Sequence, residues 1–255
     1  MLMDTSIGRT LLLRSGLAAA LALALLALAP ADARSQEGHG EMAEAAAIAT
    51  PAELEMDAAG LAHAAAALRE TTARFRDVEV ALAEGYIRDP MNLCVSAETE
   101  GFPRQMGGMG VHFFRPDLLG ITATAPRVDG TGTHTDFEVP GVLVYFPDEN
   151  GELRLGAVEN LVFQASWKAA GHTRRPSYKG HQYWNMVDNP STPGVDEAHM
   201  FQPHYELHLW VHFENPAGIA AQFNPRVSCA AYDGPKTLEE GIAWAKAHAP
   251  PPGGP

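Results

Sequence analysis

Histidine and carboxylate side chains alternate with apolar ones over residues 204–214 of the 255-residue chain. One alternating row is apolar throughout, and the other consists of His204, Glu206, His208, Trp210, His212 and Glu214. Period-two alternation rich in aromatic and β-branched residues is typical of a β-strand with one face on the core. Because alternate residues of a strand lie about 6.5–7 Å apart on one face, we expect neighbouring His and Glu side chains to approach a common point.

These residue types predict a metal site, because neutral imidazole and carboxylate are the usual protein ligands of Zn, Cu, Fe and Mn. Two further segments offer the same chemistry: His112 follows a glycine-rich run, and Glu159 stands on an otherwise apolar strand face. A buried carboxylate has to be paired, protonated or bound to a metal. The predicted ligands of one divalent transition metal are His112, Glu159, His204, His208 and His212. Glu159 and Glu206 are the predicted catalytic carboxylates, as metal ligand or general base.

Three functions remain open at this stage. The first is a metal-dependent enzyme, of oxygenase or lyase type, acting on a small organic molecule. The second is a non-catalytic periplasmic protein that binds a metal or an apolar ligand. The third is a structural module whose histidine row faces water, since an antiparallel strand with one solvated face shows the same alternation. The sequence contains no GxSxG, HExxH, phosphate-loop or dinucleotide-binding motif, so it does not establish that the protein is an enzyme.

The N-terminal residues predict export. Arg9 and Arg14 precede an apolar run over residues 17–29, and Ala31-Asp32-Ala33 fits a signal-peptidase site. The run is shorter than the roughly 20 residues of a membrane span. We therefore expect a signal peptide over residues 1–33, a secreted or periplasmic mature protein, and no integral membrane segment after cleavage. The remaining organisation is predicted as a disordered linker (34–49), a single β-rich domain (50–249) and a flexible tail (250–255).

The net charge restricts the classes of binding partner, and the cysteine content indicates the redox environment of the protein. The formal net charge of −13 argues against binding to nucleic acid or an anionic membrane, which depends on clusters of Lys and Arg. The expected partner is instead a small molecule or a metal. Cys94 and Cys229, the two cysteines of the chain, are predicted to form a disulfide in an oxidising compartment.

The predicted fold class is α+β, mainly β: an antiparallel barrel or sandwich with a long N-terminal and a short C-terminal helix. Helical apolar spacing covers residues 57–84. A turn at residues 147–151 connects two strands into a hairpin, and Thr237 and Glu240 have the spacing of a capping box. Residues 164–203 have no regular pattern, which is typical of a lid or an insertion.

Several short segments resemble a group of uncharacterised secreted bacterial proteins. They are MGVHF at 109–113, VLVY at 142–145, YELHLW at 205–210, NPAG at 215–218 and NPRVSC at 224–229. The resemblance covers most of the predicted mature domain. It implies no activity, ligand or catalytic residue.

Overall fold

The centre of the protein is a seven-stranded sheet in which every pairing is antiparallel. The computed structural model describes residues 51–124 and 126–248; the predicted signal peptide, linker and tail lie outside them. The sheet strands are β1 (Ile87–Arg88), β2 (Cys94–Ser96), β3 (Gly108–Phe114), β6 (Val142–Pro147), β7 (Leu153–Phe163), β10 (Trp184–Met186) and β11 (His204–Leu209). Two small sheets pair β4 (Ile121–Ala123) with β5 (Asp129–Gly130) and β8 (Ser177–Tyr178) with β9 (His181–Gln182).

The strand order makes the sheet open. It runs β1–β3–β6–β7–β11–β10, with β2 also paired to β3. Because β1 and β10 occupy opposite ends of this path, the closed barrel offered as one prediction is wrong for the described residues. The coarser prediction, a mainly antiparallel α+β fold, is confirmed.

The N-terminal helical region consists of three pieces where the sequence predicted one long helix. They are α1 (Pro51–Thr71), a 3₁₀ helix (Ala73–Arg76) and α2 (Val78–Ala83). The break has a local cause at each end. The Thr72 hydroxyl donates to the Leu68 carbonyl, and the Asp77 side chain accepts from the Glu79 amide, which starts a new helix. The short helices are α3 (Pro116–Leu119), α4 (Gln164–Ala169) and α5 (Leu238–His248).

Both faces of the sheet are covered. One face packs against α1 and α2 through Leu61, Leu68, Phe113, Tyr145 and Leu207. The other packs against loops through Leu93, Met109, Phe114, Phe201 and Trp210. All six residues of β11 are therefore buried, whereas the sequence suggested a half-buried strand. His204, Glu206 and His208 face protein and not water, because separate loops fold over them, whereas Glu214 beyond β11 is 77% exposed.

The predicted disulfide is confirmed: Cys94 and Cys229 are bonded, with 135 residues of sequence separation. It connects β2 to the segment after β11. Thr237 and Glu240 form the predicted capping box, since the Thr237 hydroxyl accepts from the Glu240 amide and the Glu240 carboxylate accepts from the Thr237 amide.

Residues 164–203 are not structureless, because they contain α4, β8, β9 and β10. Their last part, including Met200 and Phe201, returns to the sheet face that carries the histidine row. Among the residues described, no helix is long and apolar enough to cross a membrane.

Candidate metal centre

Three strands bring His112, Glu159 and His208 together on the loop-covered face of the sheet. His208 on β11 is the register partner of Glu159 on β7, and Glu159 in turn faces Val142 on β6. His112 on β3 reaches this row diagonally across β6. The β6 side chains on this face are the aliphatic Val142 and Val144. The registers of four consecutive strands thus determine the cluster.

The distances in the cluster are compatible with a set of metal ligands. His208 Nε2 lies 2.8 Å and His112 Nε2 lies 3.7 Å from Oε2 of Glu159. One ligand atom from each of the three residues can be chosen so that all lie within 4.8 Å of one another. Ligands about 2.0–2.2 Å from a metal, at angles of roughly 90–110°, are separated by about 3.0–3.4 Å. Since 2.8 and 3.7 Å bracket that separation, the group could hold a metal ion after small side-chain shifts.

The two imidazoles of this cluster have different protonation preferences. Burial lowers the pKa of His112 to about 4, although the charge of Glu159 opposes the change. His112 is therefore neutral at pH 7 and offers a lone pair. Burial also acts to lower the pKa of His208, but the charge of Glu159 and the hydrogen bond to it outweigh burial and raise that pKa. Next to Glu159, the His208 imidazole therefore holds its proton more strongly than a free imidazole does.

Next to this cluster, Glu206 is enclosed by two further histidines. His204 Nε2 lies 3.0 Å from Glu206 Oε2, and His199 Nε2 lies 3.5 Å from Glu206 Oε1. The opposite ring nitrogen of His199, Nδ1, contacts Oε2 of Glu100. The Gln222 amide donates to Glu206 Oε1 over 3.4 Å. All of these carboxylates and imidazoles are buried or nearly so.

The pKa values in this second group follow from burial opposed by opposite charges. Burial acts to lower the pKa of His199, yet the adjacent Glu100 and Glu206 raise it well above its usual value. Burial acts to raise the pKa of Glu206, but His199 and the hydrogen bonds from His199 and His204 hold it well below its usual range. Burial raises the pKa of Glu100, against the charge of His199. The metal-free group is thus held together by charge pairing.

Both groups line one inner cavity. Its volume is about 50 Å³, and a volume of about 10–15 Å³ is enough for one water molecule. The polar lining includes His112, Glu159, His199 and Glu206. The apolar lining includes Met91, Leu93, Val95, Met109, Phe114 and Phe201.

An outer groove adjoins the inner cavity. The two share Asp89, Met91, Val128 and Met200 as lining residues. The groove has a volume of about 620 Å³ and is also lined by Trp244 of α5. Burial raises the pKa of the shared Asp89 to about 6, although a hydrogen bond from the Met91 amide opposes the change. The groove and the inner cavity are therefore neighbours on the α5 side of the sheet.

The structure separates the sequence-predicted ligands into three places. His112, Glu159 and His208 lie together, whereas His204 lies beside Glu206 in the adjoining group. His212 belongs to neither, because β11 ends at Leu209 and the alternation is lost beyond it. The His212 ring contacts the Thr72 hydroxyl at the end of α1, 2.9 Å away. The structure thus places His212 away from the other predicted ligands.

Sequence reasoning missed two residues of the second group, Glu100 and His199. Glu100 lies in a 3₁₀ turn and His199 in the irregular stretch before β11, so no periodicity marked either. His199 and Met200 adopt left-handed backbone conformations, with φ of 50° and 63°. Such conformations are uncommon for residues other than glycine and concentrate at functional sites.

Comparison with protein families, curated proteins and solved structures gave no match for this chain. The function therefore has to be argued from the two groups of ligands and the cavity they share.

Proposed function

We propose that this protein is an exported metal-dependent enzyme that acts on a small organic molecule. A divalent transition metal would be held by His112, Glu159 and His208. The observation that carries the proposal is the convergence of two histidines and one carboxylate from three strands, with His112 and Glu159 lining the inner cavity. Two histidines and one carboxylate with open positions are typical of mononuclear iron oxygenases and also occur in zinc hydrolases.

The burial of the three proposed ligands supports metal binding over a strand face whose polar residues have no function. Glu159 and His208 are 4% and 1% exposed at the side chain, and desolvating such groups costs several kcal/mol unless they are paired or metal-bound. The ion pair with His208 uses one oxygen of Glu159. His112 adds a second imidazole at that same oxygen, where it stays neutral because burial lowers its pKa to about 4. A neutral imidazole beside a carboxylate is better explained by a ligand role than by a salt bridge.

The cavities support a small substrate. The inner cavity accommodates a metal-bound water or one reacting group, and the outer groove has the size of ordinary ligand pockets, which is roughly 300–1,000 Å³. A substrate would rest its apolar body in the groove and extend its reacting end to the metal. Glu206 lines the inner cavity but pairs with His204 and His199, so it is outside this ligand set.

Export is part of the proposal. The Cys94–Cys229 disulfide is compatible with an oxidising compartment, where such bonds persist. The N-terminal sequence signals of residues 1–33 support the same location.

The test begins with metal analysis of protein purified from the periplasm without chelator. We expect bound zinc, iron, manganese or copper that is lost in Glu159→Gln and His208→Ala. His212→Ala is the matched control, because this histidine lies apart from the cluster. Equal metal content in all four proteins would refute the ligand assignment.

A second measurement separates an enzyme site from a metal carrier. The protein is loaded with Co²⁺, and its visible absorption is followed as azide is added. An open catalytic site binds the anion and changes its spectrum, whereas a coordinatively closed carrier site does not. An unchanged spectrum would favour the non-catalytic alternative.

A further inference from the structure

Asp89 is a buried carboxylate where the outer groove adjoins the inner cavity. It is 8% exposed and follows directly after β1, and its backbone amide donates to the His112 carbonyl. The lining residues that the groove and the cavity share are Asp89 and the apolar Met91, Val128 and Met200. Asp89 is therefore the polar group at the place where the two spaces adjoin.

Among the described residues, Asp89 differs from the other carboxylates of the inner cavity because no basic side chain pairs with it. Each of the others contacts an imidazole or a guanidinium group: Glu100 contacts His199, Glu159 contacts His208, Asp196 contacts Arg127, and Glu206 contacts His204. The Asp89 side chain accepts a hydrogen bond from the Met91 amide to Oδ1, over 3.0 Å. Within the described part of the chain, no donor reaches its second oxygen, Oδ2.

The neighbouring guanidinium group of Arg88 does not neutralise this carboxylate, because it is held elsewhere. Arg88 Nη1 donates to Asn92 Oδ1 over 2.9 Å, and the guanidinium carbon lies 5.2 Å from the centre of the Phe113 ring. Phe113 belongs to the helix-covered face of the sheet, whereas Asp89 lines the cavity on the loop-covered face. The charge of Asp89 is thus available to a group from outside the protein.

A primary ammonium group has the chemistry that this position needs. A buried carboxylate is costly unless a cation or hydrogen-bond donors satisfy it, and an ammonium group supplies a full positive charge and three N–H donors. The groove beside Asp89 is also lined by Pro126 and Trp244, which suit an apolar body. Lys246 and His248 line the groove as well, but they are exposed at the end of α5.

We infer that the substrate is a small primary amine with an apolar body, whose ammonium group is bound by Asp89 between the outer groove and the inner cavity. The apolar body would lie in the groove against Met200 and Trp244, and the atoms next to the ammonium group would enter the inner cavity. This substrate class rests on the proposed metal-dependent function. The binding of the amine by Asp89 requires no metal, so the two are tested separately.

The experiment measures the binding of hexylamine, hexanol and hexanoate to the disulfide-bonded mature protein by isothermal titration calorimetry. The three probes share one alkyl chain and differ in the charge of the head group. The titrations are made at about pH 8, where a primary amine is protonated and Asp89, whose pKa is about 6, is ionised. Protein stripped with chelator is compared with protein loaded with Zn²⁺. We expect hexylamine to bind both forms about 10-fold more tightly than hexanol or hexanoate.

Asp89→Asn removes the charge and keeps an oxygen that can accept from the Met91 amide, so it should fold. It should weaken hexylamine binding by about 10–100-fold, as expected for the loss of a hydrogen bond to a charged group, and leave hexanol binding unchanged. Asp117→Asn is the matched control, because it removes the same charge from an exposed carboxylate that pairs with Arg115. The control should bind hexylamine as wild type does.

Three results would overturn the inference. Tighter binding of hexanoate than of hexylamine would assign the groove to an anionic ligand. Hexylamine binding that needs Zn²⁺ and is unchanged in Asp89→Asn would show that the amine coordinates the metal, which leaves the proposed function standing. No saturable binding of hexylamine to either form would refute the substrate class, while the metal content of Glu159→Gln and His208→Ala still decides the proposed function. Conversely, amine binding that depends on Asp89 in a chain that holds no metal would refute the metal-dependent enzyme and retain the amine site.

Discussion

The disulfide between Cys94 and Cys229 is expected to supply a large share of the stability of the fold. It closes a loop with 135 residues of sequence separation. The chain-entropy relation for a loop of that length gives a stabilisation of about 5 kcal/mol at 25 °C. Since whole domains are stable by only about 5–15 kcal/mol, the loss should bring the protein close to unfolding.

The assay is equilibrium urea unfolding followed by circular dichroism. Oxidised wild type is compared with reduced wild type and with the Cys94→Ala, Cys229→Ala variant. Reduced wild type keeps both sulfur atoms, so it separates the effect of the cross-link from that of the small cavity left by alanine. A loss below about 1 kcal/mol in both comparisons would refute the entropic reasoning.

Metal binding in the same variants tests what positions the ligands. Cys94 pairs with Val111, immediately before His112, so the disulfide lies one residue from a proposed ligand. The ligand strands themselves are joined by the β3–β6–β7–β11 hydrogen bonds. We therefore expect folded, disulfide-free protein to retain its metal affinity. A complete loss of metal in a variant that is still folded would show that the cross-link, and not the sheet, positions the site.

Three further predictions concern the metal, acid and backbone strain. Free Zn²⁺ at 1,000 times its Kd should raise the free energy of unfolding of wild type by about 4 kcal/mol, and an equal gain in Glu159→Gln would contradict the ligand role. The pKa of His212 is lowered to about 4, mainly by burial and further by the positive charges of Arg76 and Arg69. In the unfolded chain its pKa is about 6.5. As the pH falls, the unfolded state therefore binds a proton before the folded state does, and the free energy of unfolding decreases between about pH 6.5 and 4. The urea midpoint of His212→Gln should fall less over this range than that of wild type. A Cβ on Gly110, at φ 113°, would lie 2.1 Å from the Tyr145 carbonyl oxygen, so Gly110→Ala should lose more than about 1 kcal/mol; an unchanged melting temperature would refute the close β3–β6 approach.

The parts of the site that the sequence predicted are those that depend on local alternation. The alternation of side chains along β11 predicted that His204, Glu206 and His208 share one face. The pairing of β7 with β11 places Glu159 opposite His208. Strict alternation also predicts that Leu155 and Ala157 lie on the same face as Glu159, and this is wrong near the start of β7. Leu155 packs on the helix-covered face whereas Ala157 packs on the other, because the β6–β7 register shifts between Val144 and Tyr145.

Other features depend on distant contacts that no local pattern reveals. The burial of β11 arises from the N-terminal helices on one face and from loops on the other. Glu100, which contacts His199 beside Glu206, is likewise distant from β11 in sequence. Export, the domain boundaries and the choice of metal stay predictions. The disulfide was predictable because the chain has only two cysteines.

The wide spacing of His112, Glu159 and His208 along the chain has a consequence for the order of folding. Glu159 meets His208 only after β7 and β11 pair across the whole segment between them, and His112 joins from a strand on the far side of β6. Such non-local pairing forms slowly, because loop closure precedes the contacts that reward it. A metal ion at the proposed site is therefore not expected to nucleate folding. Its three ligands come together only after the sheet has assembled.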